Sequence, residues 1–68
     1  MARHETEARG AADRLALALE DAGFDVGHDF PGLHDTIGRA GVAVVSVGDV
    51  RPEVASRLAD LVIRSLER

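Results

Sequence analysis

Two histidine–aspartate steps, His28-Asp29 and His34-Asp35, flank the segment Phe30-Pro31-Gly32-Leu33. Imidazole and carboxylate together are the ingredients of a metal site or of an acid–base pair. A tight Pro-Gly turn would bring the two steps face to face, with two ring nitrogens and two carboxylates within reach of one ion. That needs a hairpin register that places His28 near His34, and the spacing matches no established ligand signature. The plainer reading is a polar loop whose aspartates cap turns and whose histidines are solvated. Nucleophilic catalysis has even less to work with. The chain has no cysteine, and Thr6, Thr36, Ser46, Ser56 and Ser65 sit in no recognisable elbow or triad setting. The expectation is a protein that is not an enzyme and needs no cofactor.

Arginines offer a second chemistry. Arg57, Arg64 and Arg68 fall within roughly 40° of one another at helical spacing, and Arg39 and Arg51 stand at the two ends of an intervening apolar run. Together they would form a basic strip, the one route to nucleic acid in this chain. Two facts weigh against it. The formal net charge is −4, so there is no basic field. Glu53 precedes Arg57 by four residues and Asp60 precedes Arg64 by four, the favoured orientation for helical ion pairs. Every basic residue is Arg and none is Lys, which reads as the composition of a GC-rich genome. Gly38-Arg39-Ala40-Gly41 is not a phosphate loop, because it lacks the Lys and the following Ser or Thr and leads into a strand.

The third feature is apolar surplus. Val42–Val47 reads Val-Ala-Val-Val-Ser-Val. It is too short for a membrane span and too β-branched for a good helix, so it predicts a well-buried strand. Its alternate residues would face opposite sides, and two short helices can cover only one side well. Leu17 and Ile63 lie off the apolar stripes of their helices and add to the surplus. A patch of this kind on a small protein marks an association surface, although scattered exposed Leu and Ile are also normal. The interface residues expected are Leu17, Val42, Val44 and Ile63.

The elements that must position these residues follow from periodicity. Met1–His4 is expected to be a flexible N-terminus, and residues 5–68 to form one small domain. Helical character starts between Glu5 and Ala11, with Thr6 as a possible N-cap. Ala8, Ala11, Ala12, Leu15, Ala18, Leu19 and Ala22 then fall in a stripe about 120° wide. Gly23 suits the residue just past the helix, with Phe24 folding back on Leu19. Phe24–Phe30 alternates apolar and polar residues, the period of a half-buried strand. Pro31-Gly32 is a turn. Leu33–Ile37 fits either a short strand or a helical turn, and pairing as a strand with Val42–Val47 across Gly38–Gly41 is the better fit. Pro52 suits the first position of a second helix, whose apolar face is Val54, Ala55, Leu58, Leu61, Val62 and Leu66.

The sequence therefore predicts a two-layer α+β fold, helix–β-hairpin–helix (αββα) with a third short strand as an option, its helices packed on one face of a small antiparallel sheet. A 68-residue chain buries only about 60% of the surface its unfolded form exposes. Disulfides and thiolate metal sites are excluded, so association is the remaining stabiliser. The function expected is a small protein-interaction or regulatory module, acting as a homodimer or docked on a larger protein. Nucleic acid and metal are the alternatives. No secretory, membrane-spanning or lipidation signal is legible, so a cytoplasmic location is expected.

Overall fold

The computed structural model describes the backbone of residues 2–67 and side chains from residue 6 to residue 67. Its elements run α1 (Ala2–Asp21), α2 (Val26–Asp29), β1 (His34–Ile37), a 3-10 turn (Arg39–Gly41), β2 (Ala43–Ser46) and α3 (Pro52–Leu66). The two strands form one antiparallel sheet with Asp35 opposite Val45 and Ile37 opposite Ala43. This is the small α+β, helix–hairpin–helix arrangement expected. The long helix α1 packs against both strands.

Helix α1 starts at Ala2, ahead of the predicted Glu5–Ala11 window, so Thr6 lies inside the helix and is not its cap. The early residues are mostly good helix formers. Gly10 is absorbed mid-helix without a break, while Ala8 and Ala12 on either side of it are buried. The helix ends as expected. Gly23 adopts φ +102°, its N–H donates to Glu20 O, and the Phe24 N–H donates to Leu19 O. These two bonds are the Schellman pair, and Leu19 and Phe24 meet in the core as that motif requires.

Phe24–Phe30 is not a strand. It forms one helical turn, α2, held by the Asp29 N–H donating to Asp25 O and the Phe30 N–H donating to Val26 O. The Asp29 carboxylate folds back to accept from the Asp25 N–H at 3.0 Å. Local side-chain capping of this kind competes with an extended backbone. The alternation that suggested a strand has a different cause: Phe24 and Phe30 are both buried, their rings edge-to-face with centroids 5.3 Å apart.

The hairpin is tied at its tip by the Gly38 N–H donating to Val42 O at 2.8 Å. Ala40 (φ 62°) and Gly41 (φ 74°) turn the chain through the left-handed region. The core is one cluster: Leu19, Phe24, Phe30 and Val54, with Val26, Leu33, Val50, Leu58 and Leu61 packed around it. Val54, in the first turn of α3, is 1% exposed. The expected well-buried strand is thus corrected. No residue of β2 is buried, and the core lies between the helix ends and the loops beside the sheet. Among the described elements α1 is the one that packs extensively on this two-stranded sheet, so β2 is only partly covered.

Candidate functional site

The two His-Asp steps do not converge. Their short turn is real, but α2 replaces the first arm of the hairpin that would have aligned them. Asp29 turns inward, and its Oδ1 accepts from Arg51 Nη2 at 2.7 Å. Arg51 also donates through Nη1 to His28 O at 3.1 Å and through Nε to Glu53 Oε2 at 2.9 Å. His28 is exposed, its Nδ1 3.3 Å from Asp29 Oδ1. His34 hydrogen-bonds through Nδ1 to the Gly32 carbonyl at 2.7 Å, and Asp35, next along β1, faces the other side of the sheet. Among the described residues no three His, Cys, Asp or Glu side chains come together. The arrangement around Asp29 is a structural clasp. The Asp25 N–H is the main influence holding the Asp29 carboxyl below its ordinary range; burial comes next and opposes it, and the Arg51 guanidinium and His28 add smaller lowering effects.

The arginines are divided as well. Arg51 belongs to that clasp. Arg57 stacks its guanidinium 4.4 Å above the centroid of the Phe24 ring and donates to Gly23 O at 3.4 Å, so it covers the end of α1. Glu53 pairs with Arg51 and not with Arg57. Arg39 sits in the hairpin turn, and Arg64 lies beside Asp60 and Ala22 in a shallow polar depression. Arg68 lies outside the described residues. Of the expected strip, two members are engaged by the fold itself.

Leu17 (63% exposed), Val42 (57%), Val44 (39%) and Ile63 (53%) are all at the surface. They are not gathered in one place. Ile63 lines an open groove of about 450 Å³ together with Phe30, Val47, Val50, Leu58 and Val62. Val42 and Val44 lie on β2, and Leu17 on α1. Sequence reasoning missed Val47, Val50 and Val62 as residues lining this groove. The apolar face of α3 reaches the core through Val54, Leu58 and Leu61, and continues beyond them as the exposed Val62 and Leu66. A legible signal was the length of that face, which outruns what a single small core can cover.

No helix among the described residues is long and apolar enough to cross a membrane. Compared with known proteins, the chain matches no family model, no curated protein and no solved structure.

Proposed function

We propose that the protein is a small non-enzymatic association module that works as a homodimer in the cytoplasm. The observation that carries this reading is the apolar groove between α3 and the β2–α3 connection, lined by Val47, Val50, Val62 and Ile63. An apolar surface of this extent on so small a chain marks a binding region, and covering it would supply burial that the monomer's small core lacks. A two-fold contact of a surface with itself is the commonest form of such pairing. Val44 and Val42 on β2 and Leu17 on α1 extend the surface available to a second copy. The engagement of Arg51 and Arg57 within the fold and the separate settings of the His28-Asp29 and His34-Asp35 steps favour this reading over nucleic-acid or metal binding.

The test is the native mass at low micromolar concentration, by sedimentation or light scattering. A stable dimer that Ile63→Asp converts to a helical monomer supports the reading. A wild-type chain that remains a folded monomer throughout refutes it.

A further inference from the structure

We infer that the second copy docks strand to strand, β2 against β2 of its partner in antiparallel orientation, making one four-stranded sheet across the dyad. This rests on the homodimer reading above and gives it a geometry.

The hairpin register supplies the starting point. The Gly38 N–H donates to Val42 O, which marks that pair as hydrogen-bonded across the hairpin. In an antiparallel ladder such pairs alternate with pairs whose amides face outward. Thr36–Val44 and His34–Ser46 therefore bond within the hairpin, and the backbone groups of Ala43 and Val45 point away from β1. No hydrogen bond from another described element reaches them. The sheet has only two strands, so this edge is an open row of donors and acceptors, the natural template for one more strand.

Edge strands that avoid pairing carry charges, proline or a bulge. Val42–Val47 carries none of these. Strand β1 does carry a charge. Asp35 lies in its centre, and two copies paired along β1 would set that carboxylate close to its own counterpart, a destabilising cross-strand pair. The chain thus has one protected edge and one adhesive edge. The adhesive edge is self-complementary. With Val45 opposite Val45 of the partner, each Val45 N–H donates to the other's C=O, two bonds centred on the dyad. Val47, the residue after β2, lines the α3 groove, so the groove begins where the strand ends.

The experiment uses amide hydrogen exchange at the residue level, read across a dilution series whose mass is followed in parallel. The expected result is a dimer in which the Ala43 and Val45 amides exchange slowly and become fast on dilution to monomer. A chain made by chemical ligation with an N-methyl group on Val45 keeps its side chain and its hairpin ladder. By symmetry it loses two intermolecular bonds per dimer, which should weaken dimerisation about 30-fold, with its circular dichroism unchanged. A dimer whose Ala43 and Val45 amides exchange as fast as in the monomer, or whose affinity the N-methyl group leaves unchanged, overturns the strand pairing and leaves the homodimer reading standing. A folded monomer at all concentrations overturns both.

Discussion

Asp29 Oδ1 and Arg51 Nη2 lie 2.7 Å apart across a sequence separation of 22 residues. This contact fastens the α2 turn to the start of α3. The same guanidinium reaches the His28 carbonyl and Glu53, so one side chain joins three points of the backbone trace. Asp29 is the only charged residue among the described residues that is buried, and its Asp25 bond leaves it capped at both ends of the turn.

The Asp29 clasp sets an acid dependence. Its carboxyl is held below the ordinary range in the folded chain, so the folded state binds that proton more weakly than the unfolded state does. The associated stability is fully present above the unfolded value, about 3.9, and is lost as pH falls through the folded value. Asp29→Asn should lower the melting temperature at neutral pH and flatten its decline in acid. Thermal melts of both chains between about pH 7 and pH 2 check this, and parallel curves would contradict it.

Two glycines hold the base of the hairpin. A Cβ on Gly48 would stand 2.8 Å from Gly32 Cα, and one on Gly32 would stand 2.9 Å from Gly48 Cα. Gly48 also sits at φ +71°. Neither backbone can yield without moving the other, so Gly32→Ala and Gly48→Ala should each cost on the order of 2 kcal/mol. Gly10 lies inside α1 with open space around it. Gly10→Ala should stabilise by about 1 kcal/mol. Denaturant unfolding of the three variants gives opposite signs if the packing is as described.

Val54 and Val62 offer a matched pair on α3. Val54 is buried in the central cluster and Val62 is exposed on the groove. Val54→Ala should destabilise the monomer by about 2 kcal/mol. Val62→Ala should change monomer stability by less than about 0.5 kcal/mol. Equal losses in chemical denaturation at high dilution would show that α3 is seated differently.

The apolar surface gives a prediction at each of its separated parts. Val44→Asp and Ile63→Asp should both shift the native mass from dimer toward monomer while leaving most helical signal intact, because neither residue belongs to the core cluster. Leu17→Asp tests α1 in the same way. A variant that keeps the dimer mass removes its residue from the interface.

The parts of the fold that short-range rules decide were legible. Gly23 past α1, Pro52 at the start of α3 and the turn at Gly38–Gly41 each depend on a residue's own backbone preference. Phe24–Phe30 was misread because burial on one side produces alternation in any backbone that can present it. The decisive contribution was the Asp29 carboxylate folding back on Asp25, and a sequence shows the carboxylate without its direction. Arg57 on Phe24 and Arg51 on Asp29 were beyond reach for a related reason. Local spacing proposed Glu53 as the partner of Arg57, whereas Glu53 pairs with Arg51 and Arg57 stacks on Phe24. The exposure of Leu17, Val42, Val44 and Ile63 was anticipated from a surplus of apolar residues, while the groove at Val47 and Val50 depended on where the β2–α3 connection runs.

Helix α3 is anchored like a cantilever. Its first turns are clamped by Val54 and Arg51, and beyond Leu61 its apolar residues are exposed, Leu66 to 79%. An element held mainly at one end opens first where its packing is thinnest, so the last turns should flicker open long before the clamp gives way. Anything that grips the tip therefore stiffens an element whose root already sits in the heart of the molecule.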